Sequence, residues 1–264
     1  MEEEASPATA RARWVRARAR GATGAVTSWG SGMGAREFLR VFWEVVRDRD
    51  LPEGEDLVEE NWTPYWRESL GAVRVTDRLT LVPAWEPAPR AEPGALRIDP
   101  GMAFGAGDHP TTRLCLRALE ALADAEGLPP RVLDVGTGTG VLALAAAALG
   151  ARRVDALDID PFGYAACRRN ARINGLEGAV RPVLLSLDLL EGRYPLVLAN
   201  VVGSQILALA AELRAHTEPG GRLIASGFQE DEEPRVLEAL GLARERRLEE
   251  EAWVAWVLRS EGCP

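Results

Sequence analysis

The sequence of 264 residues contains no lysine, two histidines and three cysteines. Without lysine, no side-chain amine is available as a general base or a Schiff-base former, and the strong side-chain cations are all arginines. The cysteines, Cys115, Cys167 and Cys263, are widely scattered, which favours neither a disulfide framework nor a metal cluster. Since His109 and His216 are the only histidines, we expect no metal site.

Long apolar segments are also missing. No apolar run reaches the roughly 18 residues that a membrane span needs, and the first residues lack the hydrophobic centre of a signal peptide. We therefore expect a cytoplasmic protein without a membrane partner, and a monomer. The net charge of −9 disfavours nucleic-acid binding over the surface as a whole.

The first 90 residues differ in composition from the rest. Residues 1–34 alternate arginine with small residues and then become rich in glycine and serine, so we expect a disordered tail. The pattern favours a tail that is merely solvated, and the alternative is an arginine arm that contacts ribosomal RNA. Residues 35–90 contain an amphipathic helical pattern at 35–47, a hairpin turning at Thr76 and Asp77, and a proline-rich linker. We interpret them as a small α+β region before a larger domain at 91–264.

Residues 132–160 read as strand, glycine turn, helix and strand. A short aliphatic strand stops at Gly136, and Gly138 and Gly140 allow the backbone to turn tightly beside a ligand. An alanine and leucine helix over 141–149 follows, and the strand at 153–157 then leads into Asp158. This order is typical of one βαβ unit that binds a nucleoside.

The spacing of the glycines indicates which nucleoside is bound. The dinucleotide pattern G-x-G-x-x-G has its third glycine where this chain has Val141. The observed G-x-G-x-G favours S-adenosylmethionine, whose only anion is a carboxylate, with Asp158 accepting hydrogen bonds from both ribose hydroxyls. The alternatives are a nicotinamide or flavin site, or an ordinary turn in which Asp158 caps the next helix.

A glycine-rich loop at 97–112 leads into the helical run at 113–125. Glycines around Phe104 would let this loop close over the ligand, and Pro110 is suited to opening a helix. Thr112 would then lie in the first turn, where its hydroxyl and the first amides are predicted to hold the methionine carboxylate. The alternative is a threonine that satisfies only its own helix start. We expect His109 to make an ordering contact.

Strands and helices alternate through the remaining chain. The alternation predicts an α/β fold, a Rossmann-like, doubly wound, seven-stranded sheet with an antiparallel carboxyl-terminal end. The expected elements are a helix from Pro161 to about Gly175, strands at 180–187 and 194–199, a helix at 205–213 capped by Ser204, a strand within 220–227, a helix at 234–240, and a closing pair at 242–248 and 253–259.

Gly136, Asp158 and Asn200 fall at successive strand ends, and therefore on one rim of the predicted sheet. Asn200 is the predicted catalytic contact: its amide oxygen and a nearby carbonyl would hold the N–H groups of an amine and aim its lone pair at a methyl group. The alternative is a buried amide that ties one loop. Asp188, after the third strand, is predicted to accept from the adenine amine, with a turn role as its alternative.

Four segments of the chain resemble the bacterial family that methylates ribosomal protein L11. They are residues 99–112 (DPGMAFGAGDHPTT), 133–140 (LDVGTGTG), 158–161 (DIDP) and 199–200 (AN). The resemblance covers residues 56–259 and implies transfer of methyl groups from S-adenosylmethionine to amino groups of that ribosomal protein. It implies donor-site roles for Thr112, Gly136, Asp158 and Asn200. Phe104 and Gly138, which lie in the glycine segments, are also expected to contact the donor.

Two features depart from the family pattern. Ala106 stands where the family usually has threonine, and the strands of the family's amino-terminal ferredoxin-like recognition domain are hard to find within residues 35–90. A methyltransferase acting on another protein or on a small molecule is therefore one alternative. A non-enzymatic, ribosome-associated module that binds adenosylmethionine is another. A ribosomal protein partner is expected.

Overall fold

A computed structural model describes residues 71–86, 94–100, 103, 105, 107 and 109–261. The predicted tail at 1–34, the helical pattern at 35–47, Phe104, Ala106 and Cys263 lie outside the described residues. Two sheets are present in the described part, one of three strands and one of seven.

The helices and strands alternate as the sequence pattern predicts. Their bounds are β1 Val73–Arg74, β2 Thr80–Pro83, β3 Ala95–Ile98, α1 Pro110–Glu126, β4 Arg131–Val135, α2 Val141–Ala148, β5 Arg153–Asp158, α3 Pro161–Ile173, β6 Val180–Leu184, β7 Tyr194–Asn200, α4 Gly203–His216, β8 Thr217–Gln229, α5 Glu233–Leu240, β9 Ala243–Glu250 and β10 Trp253–Arg259.

The larger sheet has the strand order β6-β5-β4-β7-β8-β10-β9. Strands β4 to β8 run parallel, whereas β10 pairs antiparallel with both β8 and β9. The predicted doubly wound sheet with an antiparallel end is confirmed. Because the chain moves outward from β4 to β6 and then returns to β7 on the other side of β4, the strand order reverses between β4 and β7. Such a reversal opens a crevice at the carboxyl ends of the strands.

Both faces of this sheet are buried, which explains why its strands are almost continuously apolar. Along β4, Val132 faces one hydrophobic cluster and Leu133 faces the other. Helices α1, α2 and α3 and the small sheet cover the first face, and α4 and α5 cover the second. The helices on the two faces fix where each strand ends, and so fix the rim.

The predicted hairpin is present and belongs to the first cluster. Strands β1 and β2 are antiparallel, and β2 also pairs with β3 in parallel. Leu79 and Leu81 are buried in the cluster, and the Thr76 hydroxyl and the Arg78 amide donate to the Glu120 carboxylate of α1. A domain boundary near residue 90 would therefore separate β1 and β2 from β3. These three strands form one sheet and share one core with α1.

Two predicted boundaries were wrong. The third strand of the larger sheet ends at Leu184, since the apolar run continues into a 3-10 turn, Leu187–Leu189, where buried Leu187 joins the second cluster. Helix α4 begins at Gly203 after Val202, with no side-chain cap, so Ser204 does not cap it. A Cβ at Gly203 would lie 3.2 Å from the Phe228 Cβ, so glycine lets α4 begin earlier, close against β8.

The two edge strands of the larger sheet differ from its central strands. Strand β6 contains Pro182, which lacks the amide hydrogen that a further strand would require. Strand β9 is mostly exposed and highly charged, with the sequence ARERRLEE. Its Arg247 pairs with Glu230 and Glu233 at 3.2 and 3.0 Å. Both edges carry features that disfavour pairing with another strand.

Candidate active site

Three of the predicted site residues lie at the carboxyl rim of the larger sheet. Gly136 follows β4, Asp158 ends β5 and Asn200 ends β7. Strand β4 lies between β5 and β7, so these three residues occupy neighbouring positions around the point where the strand order reverses. The convergence expected from the sequence is therefore present.

The glycine turn adopts a backbone that side chains disfavour. Gly136, Gly138 and Gly140 have φ values of 69°, 54° and 83°, all in the left-handed region. A Cβ at Gly140 would lie 2.6 Å from the Cys167 Sγ, and one at Gly136 would overlap the Val201 side chain. The glycines thus serve both the turn and the close approach of the neighbouring elements.

Asp158 fixes the glycine turn to the start of α3. Its Oδ2 accepts from the Gly138 amide and its Oδ1 from the Asp160 amide, both at 2.8 Å. Burial raises the pKa of Asp158, and these amide hydrogen bonds oppose the rise. The alternative role as helix cap belongs instead to Asp160, whose Oδ1 accepts from the Phe162 amide at 3.0 Å. Asp158 retains lone pairs that can accept hydroxyl donors.

Gly163, in the first turn of α3, was missed from the sequence. A Cβ there would lie 2.7 Å from the Asp158 Cγ and closer still to Oδ2. Glycine at this position therefore allows the helix to approach the carboxylate. The available signal was a glycine placed two residues after the proline that opens a helix, where glycine is otherwise unfavourable.

A second carboxylate, Asp134, lies beneath the same turn and was also missed. Asp134 is 1% exposed, and its Oδ2 accepts from the Thr137 hydroxyl at 2.6 Å. Burial raises the pKa of Asp134 to about 7, with a further contribution from the charge of Asp158. An acid within an otherwise aliphatic strand was the available signal, since such a group is rarely buried without a reason.

The structure brings Thr112 to Asn200. Helix α1 begins at Pro110 as predicted, and fully buried Thr112 lies in its first turn. The Asn200 Nδ2 donates to the Thr112 Oγ1 at 3.4 Å, so the side chains of α1 and β7 meet across the rim. In the described part of the chain, the Asn200 amide oxygen accepts no hydrogen bond, which leaves it available to a ligand.

His109 has the ordering role that the sequence suggested. It is the N-cap of α1, and its Nδ1 accepts from the Thr111 amide at 3.3 Å. Its ring meets the Trp253 ring edge-on at a centroid distance of 4.7 Å. The start of α1 is therefore held by β10 as well as by its own cap.

The glycine loop before α1 is fastened to the glycine turn. The Thr139 hydroxyl donates to the Gly105 carbonyl at 2.7 Å. A Cβ at Gly107, where φ is 96°, would overlap the Leu81 side chain of β2. These loop glycines therefore serve close packing against the turn and the hairpin.

Two asparagines of α3 hold the chain that enters this loop. Asn170 donates to the Asp99 carbonyl at 2.9 Å and accepts from its amide at 2.8 Å. One helical turn later, Asn174 makes the same pair of bonds with Arg97, at 2.7 and 2.8 Å. The two side chains take the place of a neighbouring strand. Asn170 was detectable as an asparagine in a helix interior, where it is unfavourable, whereas Asn174 is the C-cap of α3, where asparagine is ordinary.

Asp188 lies away from the strand end. Because β6 stops at Leu184, exposed Asp188 falls in the 3-10 turn, where its Oδ1 accepts from the Ser186 hydroxyl at 2.5 Å. This is the turn role that the sequence left open. Contact between Asp188 and adenine stays a prediction.

A cleft of about 390 Å³ lies at the opposite, amino-terminal edge of the sheet, beside Pro195 and Arg222. Arg222 already pairs with Glu126 and Glu245, both at 2.6 Å. The chemistry-bearing side chains are on the other rim, where parallel sheets bind ligands.

The chain is similar to several known proteins. The model of the family described as "Ribosomal protein L11 methyltransferase" matches residues 44–261. A protein of that name from Geobacter sulfurreducens is 44% identical over 208 residues, which cover 77% of this chain and 68% of the relative. Another from Pelotomaculum thermopropionicum is 48% identical over 207 residues, covering 76% and 66%. The chain thus spans about two thirds of these relatives' length.

Solved structures are similar as well. The crystal structure of a ribosomal protein L11 methylase from Lactobacillus delbrueckii subsp. bulgaricus matches with a TM-score of 0.64 and 31% identity, over 73% of this chain and 100% of that one. A 16S rRNA methyltransferase from T. thermophilus, solved with AdoMet and guanosine, matches with a TM-score of 0.51 and 25% identity, over 61% of this chain and 46% of that one. With its family match over residues 44–261, the chain belongs to the ribosomal protein L11 methyltransferase family.

Proposed function

We propose that the protein transfers methyl groups from S-adenosylmethionine to amino groups of ribosomal protein L11, either on lysine side chains or at the amino terminus. The observation that carries this proposal is the meeting of Asn200 and Thr112 at the rim, beside Asp158 and the glycine turn. Family membership supports the reaction, since the relatives from Geobacter and Pelotomaculum are named for it.

The residues present fit an adenosyl donor. Asp158 keeps carboxylate lone pairs for two ribose hydroxyls, and the glycine turn beside it has no side chain in the way at its three glycines. The first turn of α1 contains no acidic residue that would repel the donor's carboxylate, and the Thr112 hydroxyl suits it as a hydrogen-bond donor. The amides of Thr111, Thr112 and Arg113 already donate to His109, so the hydroxyl is the group of this turn that we assign to the carboxylate. When bound, S-adenosylmethionine supplies a methyl group that is already activated for transfer.

Asn200 then positions the acceptor. Its Nδ2 donates to the Thr112 hydroxyl, and its amide oxygen accepts from the N–H of the incoming amine. This fixes the direction of the nitrogen lone pair and favours the positive charge that develops on nitrogen. No covalent intermediate on the protein is needed. The protein contributes alignment and electrostatic stabilisation.

Residues 35–90 are the proposed recognition region for the ribosomal protein, and 91–264 the catalytic domain. The proposed arginine-rich tail at 1–34 is a candidate for ribosomal RNA contact. We further propose that the protein acts as a monomer in the cytoplasm. Among the described helices, none is both long and apolar enough to cross a membrane.

The catalytic role of Asn200 is tested by comparing the Asn200→Ala variant with the wild-type protein, using labelled donor and purified L11. We expect transfer to fall by on the order of a hundredfold while donor binding is largely retained. Ser204→Ala is the matched control, because Ser204 is exposed on α4 four residues away and caps nothing. Normal turnover by Asn200→Ala would remove Asn200 from amine positioning.

The acceptor is tested by offering L11, other ribosomal proteins and a small-molecule extract to the full chain. Labelling of L11 alone supports the proposal, whereas labelling of another fraction would show that the acceptor is a different protein or a small molecule. Donor binding without any transfer favours a non-enzymatic module. A shortened chain that tests the need for the preceding residues should keep the hairpin rather than begin near residue 92, because Leu79 and Leu81 are part of the core.

A further inference from the structure

Two carboxylates lie beneath the glycine turn, on neighbouring paired strands. Asp134 accepts from the Thr137 hydroxyl at 2.6 Å, and Asp158 accepts from the amide of the next residue, Gly138, at 2.8 Å. The turn therefore rests on both acids at once. Asp158 suits a ribose, whereas nothing in the proposed reaction so far uses Asp134.

Among the described residues, neither acid has a cation beside it. Within the described residues, no arginine or histidine forms an ion pair with Asp134 or Asp158. Asp155 on β5 provides the contrast: it is also 1% exposed, yet it pairs with Arg181 at 2.7 Å and with Arg153 at 3.3 Å. A buried charge is costly unless it is paired. Ionisation therefore costs more at the two acids of the rim, which lack the positive charge that Asp155 has beside it.

The groups that face Asp134 from the surrounding elements do not supply that charge. Cys115 of α1 and Cys167 of α3 are both buried, and burial together with the charge of Asp134 raises the pKa of each thiol. The Ala143 amide in the first turn of α2 and the Thr137 hydroxyl donate to the carboxylate, and Asp158 adds a like charge. Burial outweighs the donors and raises the pKa of Asp134 to about 7.

We propose that Asp134 holds a proton in the empty site, releases it to solvent when a sulfonium-bearing nucleoside binds, and regains it once that group has become a neutral thioether. The donor thus provides the missing positive charge, and Asp134 is a specificity-determining residue that distinguishes donor from product by charge. This inference rests on the proposed function, because only methyl transfer converts a cationic ligand to a neutral one in the site.

Methyl transfer and the proton exchange at Asp134 are separate events. The sulfur–methyl bond breaks, with its electron pair remaining on sulfur, and the nitrogen–methyl bond forms from the amine lone pair. The proton that the amine then loses goes to solvent. Separately, one proton leaves the Asp134 carboxyl on donor binding, and one returns from solvent when the sulfur is uncharged. No oxidant, reductant or further reactant is required.

The experiment is calorimetry on the full chain with S-adenosylmethionine and with S-adenosylhomocysteine, in buffers of different ionisation enthalpy. At pH 7 the donor should release roughly half a proton per site, and the product close to none, since a group with a pKa near the pH is about half protonated. Donor affinity should rise about tenfold between pH 6 and pH 8, with product affinity changing much less. The proton exchange that ribose binding causes at Asp158 cancels, because both ligands carry the same ribose.

Asp134→Asn keeps an oxygen that can accept from Thr137 and should abolish the difference in proton release between the two ligands. Asp155→Asn is the matched control, an equally buried acid that has its own cations, and it should leave the difference intact. The wild-type comparison needs neither variant to fold. Equal release by donor and product, or a difference that persists in Asp134→Asn, overturns the inference alone. Failure of the donor to bind overturns the proposed function as well.

Discussion

Replacing Gly163 by alanine gives a sharp test of the contact between α3 and Asp158. Gly163 has no left-handed backbone, and alanine is the better helix former by about 1 kcal/mol, so local propensity alone predicts a more stable protein. The structure predicts a loss, both of stability and of donor affinity. The added Cβ would lie 2.7 Å from the Asp158 Cγ, and the carboxylate would have to move.

The expected magnitude follows from what holds that carboxylate. It accepts from Gly138 and Asp160 at 2.8 Å, and displacing Oδ2 sacrifices a hydrogen bond to a charged group, about 1.5–3 kcal/mol. The helix gain offsets part of this loss, so unfolding should become easier by about 0.5–2 kcal/mol. A displaced Asp158 also loses two ribose bonds, about 2–4 kcal/mol of donor affinity, which is roughly 30- to 700-fold.

Calorimetric titration with S-adenosylmethionine and urea unfolding measure the two effects. Gly178→Ala is the matched control, because a Cβ at Gly178 meets no atom within 4 Å, and it should bind donor normally. Asp158→Ala sets the full loss that Gly163→Ala should approach. Normal donor affinity in Gly163→Ala beside a large loss in Asp158→Ala would refute the steric reasoning, and normal affinity in both would remove Asp158 from the site.

Three further predictions concern the supports of the site. Glu250 of β9 accepts from the Arg113 Nε at 2.7 Å, next to Thr112, so Glu250→Gln should raise the donor KM several-fold while the fold is retained; unchanged steady-state kinetics would contradict this. Gly107→Ala should destabilise the chain by roughly 1–3 kcal/mol in urea unfolding, through its positive φ and its overlap with Leu81. In a double-mutant cycle, Gly107→Ala and Leu81→Ala should cost less together than the sum of their separate effects, because the overlap is relieved while the backbone strain remains. Finally, burial raises the pKa of Asp134 to about 7, so the ligand-free folded state binds more protons than the unfolded chain between about pH 4 and 7. Its contribution to the unfolding free energy should therefore fall as the pH rises through that window, and the fall should be absent in Asp134→Asn.

The central βαβ unit could be predicted because local rules decide it. The left-handed glycines, the alanine-rich helix α2 and the strand ending at Asp158 all depend on residue identity and short spacing. Pro110 at the start of α1 is equally local. The rim then followed from the general topology of parallel sheets, which is why Gly136, Asp158 and Asn200 could be grouped before any contact was known.

The missed features depend on contacts between distant parts of the chain. Gly163 matters only because α3 passes Asp158, and Asn170 matters because β3 runs beside α3. Asp134 looked like a strand residue, since the absence of a counter-ion among the described residues emerges only when the surrounding elements are in place. The error at Leu187 has a similar origin: an apolar run shows burial, but not whether the residue still pairs with the sheet.

The edge strands also determine whether a truncated form of the protein stays in solution. Strand β10 pairs with β8 and is itself followed by β9, and the inner residues 223–228 of β8 (LIASGF) contain neither a charge nor a proline. A chain that stopped after α5 would expose β8 as a new edge without charges or proline in that segment, which is the pattern that templates strand addition between molecules. Such a fragment would retain every residue of the proposed site and yet be expected to aggregate. The charged hairpin at the carboxyl terminus therefore acts as a solubility device for the whole catalytic sheet.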